Sequence, residues 1–351
     1  MTISRRKFVQ GSASLLAAPA LLGTTGARAQ EGVTLKLHHF LPPASNVHAR
    51  LLEPWVKQID ADSGGKLKIE IFPAMQLGGK PPQLYDQARN GVVDIVWTLP
   101  GNTPGRFPST EVFELPFVAA PNATANAPAA QEFGETHLAN ETADVKLLAF
   151  WTHDQGLIHT NKPIAKMEDL AGLKLRNPTR LAGEALTALG AVSVSMPVPQ
   201  TPEALAQKVI DGCVIPWEVV PSIKVDELTS YHTSVPGAPT LYTASFFLAM
   251  NKDKFAGLPD DLKAVIDKNS GMAFAKQAGK MWDDVGAEVA AKVKASGKNT
   301  VSEISEEEKA RWVAATQPVR DKWVEDMKGK GADGVALIEQ AKALIAKYGA
   351  A

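Results

Sequence analysis

Two spacings of apolar residues take turns along this chain. In VTLKLHH (33–39), Val33, Leu35 and Leu37 recur at every second position, and the run ends at Pro42-Pro43. That alternation predicts a strand with one buried face. In NVHARLLEPWVKQIDADSGG (46–65) the apolar residues move to helical spacing, and a glycine pair stops them. KLKIEIFP (66–73) alternates strictly again. PPQLYDQARNG (81–91) has proline near its start and glycine after its end, the asymmetry of a helix, and VVDIVWTLPG (92–101) is an apolar strand. The order β-α-β-α-β within about 70 residues predicts an α/β domain with a largely parallel sheet.

The pattern then repeats. After a Pro-, Asn-, Ala- and Thr-rich segment (101–130) with a helix of moderate quality, VKLLAFWTH (145–153) reads as a strand. MEDLAG (167–172) reads as a short helix, and LKLRNP (173–178) as a strand stopped by Asn177 and Pro178. TRLAGEALTALG, AVSVSMP, PEALAQKVIDG and CVIPWEVV follow as helix, strand, helix and strand. A second α/β domain is therefore expected. TLYTASFFLAMNKDKF (240–255) returns as a strand, and residues 260–297 are expected to form one helix of more than 30 residues, bent near Gly271. A helix of that length suits a position across two lobes.

The first 29 residues stand apart. Arg5 and Arg6 precede Phe8, a weakly apolar stretch follows, and Ala27-Arg28-Ala29 ends it with small residues. This resembles a twin-arginine export signal cleaved after Ala29. The segment holds four bases (Arg5, Arg6, Lys7, Arg28) and no acid. Of 37 bases, 33 therefore remain against 38 acids, a net charge of −5. A mildly acidic exported chain is a poor nucleic-acid binder. Cys213 is the only cysteine, so no intrachain disulfide forms.

Two enzyme signatures are absent: there is no G-x-S-x-G or H-E-x-x-H, and LGGKP (77–81) lacks phosphate-loop spacing. His38 and His39 are adjacent, so on a strand they point to opposite faces. His153 and His159 with Asp154 offer metal-ligand types but read better as polar groups at a strand end, and Cys213 reads as core. The strand ends are more informative, because ligands of parallel sheets sit beyond them. One set offers Phe40, Trp97 and Leu99; the other offers Gln155, Arg176, Trp217 and Glu218. A cleft between them suits a small anion with an apolar or hydroxylated body. Each residue has a plain reading as core or rim, and for Glu218 that reading is a partner for a neighbouring Lys or Arg.

KLKIEIFPAMQLGG, ARNGVVDIVW, FELPFV, MEDLAGLKLRNP, LGAVSVSMP, PEALAQKVIDG and FFLAMNKDKFAGLPDDLKAVI run almost from end to end. Together they resemble the solute-binding proteins of tripartite ATP-independent periplasmic (TRAP) transporters. The resemblance implies a two-lobed α/β periplasmic binding protein, with strands crossing between lobes and a long C-terminal helix spanning both. The expected division is 30–154 plus 243–285 for one lobe and 155–242 plus 286–351 for the other. It also implies that Arg176 pairs with a ligand carboxylate, that the lobes close over the ligand, and that a small and a large membrane subunit receive it. No cofactor or metal and no enzymatic activity are implied, and a monomer is the default.

Two departures from the family pattern bear on the ligand. Many dicarboxylate and sialic-acid binders read ENGFRH-x-T-N where this chain reads THDQGLIHTN, so their second arginine is replaced by Leu157 or Ile158. DGCVIP replaces DGQENP and is followed by Trp217 and Glu218. Both changes favour a monocarboxylate with an apolar, aromatic or hydroxylated body. Trp97, Trp217, Phe40 and Leu99 are expected to shape its pocket, and Glu218, Gln155 and Tyr242 to meet its polar groups. A C4-dicarboxylate stays open if His153, His159 or Arg180 supplies a second positive group. A periplasmic enzyme and a sensory binding protein are the readings from other classes.

Overall fold

The computed structural model describes residues 32–350; the expected export signal over 1–29 lies outside the described residues. The first array forms as the apolar spacing predicts: β1 (Val33–His38), α1 (Glu53–Asp62), β2 (Leu67–Phe72), α2 (Leu84–Arg89) and β3 (Ile95–Thr98). α3 (Ala123–His137) and β4 (Val145–Thr152) follow. The second array is β5 (Leu157–Thr160), β6 (Lys174–Asn177), α4 (Arg180–Ala188), β7 (Val192–Ser195), α5 (Thr201–Ala206) and β8 (Gly212–Ile215). The rest is α6 (Val225–Leu228), β9 (Tyr231–Ser234), β10 (Ser245–Asn251), α7 (Lys252–Ala256), α8 (Asp260–Lys268), α9 (Gly271–Ala295), β11 (Thr300–Glu303), α10 (Glu306–Gly329) and α11 (Gly334–Gly349).

The strands form two sheets, ordered β2-β1-β3-β10-β4 and β11-β9-β5-β8-β6-β7. β1 is parallel to β2 and β3, and β6 is parallel to β7 and β8. β10 enters the first sheet antiparallel between β3 and β4. The chain therefore crosses between sheets at 153–156, leaving β4 for β5, at 235–244, leaving β9 for β10, and again through α7, α8 and α9, leaving β10 for β11.

The long helix expected over 260–297 is two helices. α8 ends at Lys268 with Asn269 as its cap, and Gly271 takes a positive φ of 57° at the start of α9, which breaks the helical ladder. α9 still has 25 residues, about 37 Å at 1.5 Å per residue. It packs on α3 and β4 beside the first sheet, and on residues 217–219 and β11 beside the second. A side chain at Gly279 would come within 2.6 Å of the Ala123 carbonyl, so glycine lets α9 and α3 approach closely. The last two helices pack on different elements. α10 lies against α4, but α11 returns to α3, where Lys347 and Tyr348 meet Glu132 and His137 meets Gln340. β8 stops at Ile215 because Pro216 cannot extend the ladder, so the strand expected through 213–220 ends early. Among the described residues, no helix is long and apolar enough to cross a membrane.

Candidate functional site

The carboxyl ends of β1, β3, β6 and β8 face a shared cavity of about 550 Å³, counted out into open solvent at its mouth. The first sheet lines it with aromatic rings. Phe40 stacks on Trp97 with centroids 4.7 Å apart and planes 17° apart. Trp97 meets Phe246 at 5.5 Å, and Phe246 meets Trp282 of α9 at 5.2 Å. Leu99 closes this wall.

The opposite wall holds the charge. β6 lies between β7 and β8, with Arg176 level with Val194 on one side and Cys213 on the other. Its end is fixed by Asn177, whose amide donates to the Thr179 carbonyl and to Ser195 Oγ, while Ser193 Oγ donates to its Oδ1. Thr179 then caps α4 by accepting from the Ala182 N–H. The turn after the strand is rigid, and it leaves Arg176 at the cavity with 2% exposure.

Arg176 Nε donates to the Met196 carbonyl at 2.9 Å, and Nη1 donates to the Val214 carbonyl at 3.3 Å. Among the described residues, no carboxylate lies within ion-pair distance of it and Nη2 has no acceptor. Burial pulls the guanidinium below its ordinary value, yet arginine keeps its charge in proteins. A buried, unpaired cation costs several kcal/mol; an anion in the cavity offsets that cost.

Glu218 and Tyr242 also line the cavity and are 2% exposed. Glu218 has no cation partner among the described residues, and burial pushes its carboxyl up to about 8. Burial likewise raises Tyr242 well above the usual phenol range. Glu218 Oε1, Tyr242 Oη, Trp97 Nε1, Trp282 Nε1 and Asn102 Nδ2 are buried polar atoms with no hydrogen-bond partner among the described residues. Such atoms are rare in folded proteins, and all five belong to residues around this one cavity.

The three candidate second cations are engaged elsewhere. His153 lines the cavity, but its Nε2 accepts from the Ala244 N–H at 2.9 Å, so the ring proton is on Nδ1 and is donated to the Asp154 carbonyl. Burial pushes it down to about 4, leaving it neutral. His159 bonds His232 at 2.7 Å and the Ile215 carbonyl at 3.1 Å, and burial pushes it to about 3. Arg180 pairs with Glu111 at 2.6 Å and Glu184 at 2.8 Å, outside the cavity.

Six of the eight residues expected from sequence line the cavity: Arg176, Trp97, Phe40, Glu218, Leu99 and Tyr242. Trp217 and Gln155 do not. Residues 217–219 form a 3₁₀ turn that rotates successive side chains by about 120°. This sends Glu218 and Val219 to the cavity, while the Trp217 ring packs on His159 and His232 at 5.5 and 5.1 Å. The backbone N–H of Gln155 is tied to the Pro121 carbonyl at 3.0 Å, which holds it beside the loop before α3. Sequence reading missed Asn102, Phe246 and Trp282. Trp282 belongs to an apolar stripe with Phe274, Ala278, Met281 and Val285, which signals burial but not against what.

The crossing segments meet at the site. The Gly156 N–H donates to the Tyr242 carbonyl at 3.2 Å. A Cβ on Gly156 would lie 2.0 Å from the Tyr242 ring, so glycine is what allows that ring its place.

Residues 37–326 match the family described as bacterial extracellular solute-binding protein, family 7. Solved structures agree along nearly the whole chain. One is a marine metagenome TRAP solute-binding protein in complex with metahydroxyphenylacetate, 47% identical, covering 90% of this chain and 99% of its own, with a TM-score of 0.87. The protein in complex with 3-hydroxybenzoate, from the same source, is 46% identical, covers 91% and 99%, and has a TM-score of 0.88. A TRAP solute-binding protein from Rhodoferax ferrireducens T118, with copurified benzoate, is 44% identical, covers 90% and 98%, and has a TM-score of 0.87. With the two sheets, the helix across both and the cavity between their strand ends, these matches establish that the chain belongs to the TRAP-transporter solute-binding proteins, family 7 of the bacterial extracellular solute-binding proteins.

Proposed function

We propose that the chain captures an aromatic monocarboxylate in the periplasm and delivers it to the small and large membrane subunits of a TRAP transporter. The observation that carries this reading is Arg176, a buried guanidinium with no protein carboxylate within ion-pair distance among the described residues. Its free N–H groups suit a bidentate, charge-assisted pair with a ligand carboxylate. The Phe40, Trp97, Phe246 and Trp282 rings then suit an aromatic body, with burial worth about 25 cal/mol per Å² of apolar surface. The bound benzoate and hydroxylated aromatic acids of the relatives support the same chemistry.

A dicarboxylate needs a second cation. Among the described residues lining the cavity, Arg176 is the one charged donor, since His153 is neutral. The lobes are read as the two sheets with their helices, joined at 153–156 and 235–244, with α11 grouped with the first. Residues 1–29 serve as a twin-arginine export signal, and the mature chain works as a monomer. Arg176→Lys keeps the charge and loses the planar fork. It weakens benzoate binding by about 1.5–3 kcal/mol in calorimetric titration of refolded, ligand-free protein; unchanged affinity rejects the assignment.

A further inference from the structure

Arg176 and Glu218 line one cavity but form no ion pair with each other. Glu218 follows the end of β8, and its backbone carbonyl accepts from Asn46 Nδ2 at 2.8 Å, which fixes the 3₁₀ turn that carries it. Its carboxyl is enclosed, has no cation beside it among the described residues, and leaves Oε1 without a donor. A ligand edge made only of C–H groups would leave that oxygen unsatisfied, at a cost. A second carboxylate would bury a charge with no second cation beside it among the described residues lining the cavity. An ammonium would require Glu218 to ionise, which its burial opposes. A hydroxyl meets none of these penalties, because it donates to Oε1 and accepts from the protonated oxygen.

We infer that Glu218 is the specificity-determining residue of this site, reading a hydroxyl on the ring of the aromatic acid whose carboxylate Arg176 holds. This rests on the proposed monocarboxylate reading and narrows its substrate class to hydroxylated aromatic acids. It also assigns a use to a buried acid that the clamp alone leaves unexplained. Tyr242 Oη and Asn102 Nδ2, likewise without partners, are free to complete the carboxylate's shell.

The test is calorimetric titration of refolded wild type, Glu218→Gln and Glu218→Leu with benzoate, 3-hydroxybenzoate, 4-hydroxybenzoate, isophthalate and 3-(aminomethyl)benzoate. Wild type is expected to bind one hydroxybenzoate roughly 10- to 100-fold more tightly than benzoate, the scale of leaving one buried acceptor without a donor. Glu218→Leu collapses that ratio to within about threefold by weakening the hydroxybenzoate, with benzoate affinity held or raised. Glu218→Gln, which folds with the same shape and both donates and accepts, retains part of the ratio. An unchanged ratio in Glu218→Leu overturns the inference, as does tightest binding of isophthalate or of the aminomethyl compound. Benzoate that binds and depends on Arg176, with no preference for a hydroxyl, overturns this inference alone. Failure of every monocarboxylate to bind wild type overturns the reading beneath it and this inference together.

Discussion

The end of β6 and the first turn of α4 each present an arginine, four residues apart, in opposite surroundings. Arg180 is ringed by acids: Glu111, Glu184 and, at 3.8 Å, Asp326. Glu111 also accepts from Trp323 Nε1 at 3.1 Å, so this cluster joins α4, α10 and the segment before α3. Arg176 is more deeply buried and, among the described residues, its guanidinium hydrogen-bonds only to the carbonyls of Met196 and Val214. Paired charge in the first region stabilises the fold. Unpaired charge in the second is what the proposed ligand carboxylate would meet. Separating the two takes the acids around each arginine, not the arginines themselves.

That contrast can be broken by exchanging each arginine for methionine. Arg176→Met removes the carboxylate partner and is expected to weaken benzoate by about 3–5 kcal/mol, the cost of breaking a buried pair. Its ligand-free stability in urea should shift by no more than about 1 kcal/mol, because relief of the buried charge offsets two lost carbonyl bonds. Arg180→Met is expected to do the reverse. It strands the half-buried Glu111 cluster and costs about 2 kcal/mol of stability, between the values for exposed and buried pairs. The ranking of ligands in titration should stay as in wild type. Equal effects of the two substitutions on both readouts would erase the distinction.

Glu218 sharpens the comparison from the acidic side. Its carboxyl is pushed up to about 8 in the folded chain, from 4.5. Between these values the folded protein holds a proton that the unfolded chain has released, so this group makes stability fall as pH rises. Glu218→Gln removes that contribution. Its stability relative to wild type should grow from pH 4.5 to 8 and level off above, by at most about 1.4 kcal/mol per pH unit. Urea unfolding of both proteins across this range checks it; a constant difference would show that Glu218 titrates at its ordinary value.

Much of this was legible in the chain because α/β units are local. Alternating and helical spacings located β1 to β3 and β6 to β8, and stop signals such as Asn177-Pro178 located the strand ends where a ligand meets a sheet. What escaped was set by distant partners or by one peptide's geometry. Trp217 and Glu218 are neighbours in sequence, and only the 3₁₀ turn after Pro216 decides which one faces the cavity. Phe246 and Trp282 reach it through a crossing strand and a helix that packs on both sheets. β9 and β11 are four-residue strands without a strong apolar alternation. α11 carries an ordinary apolar stripe, and only the fold sends it back to α3.

The central claim is that Arg176 is held for a carboxylate. A two-by-two titration tests it most directly: benzoate and its neutral isostere benzamide, each against refolded wild type and Arg176→Met. The coupling in this cycle isolates the guanidinium–carboxylate pair from everything else the ring touches. Wild type is expected to prefer benzoate by about 2 kcal/mol or more, in line with a charge-assisted hydrogen-bonded pair, and Arg176→Met to show no preference. A preference for benzoate that survives the substitution would contradict the account.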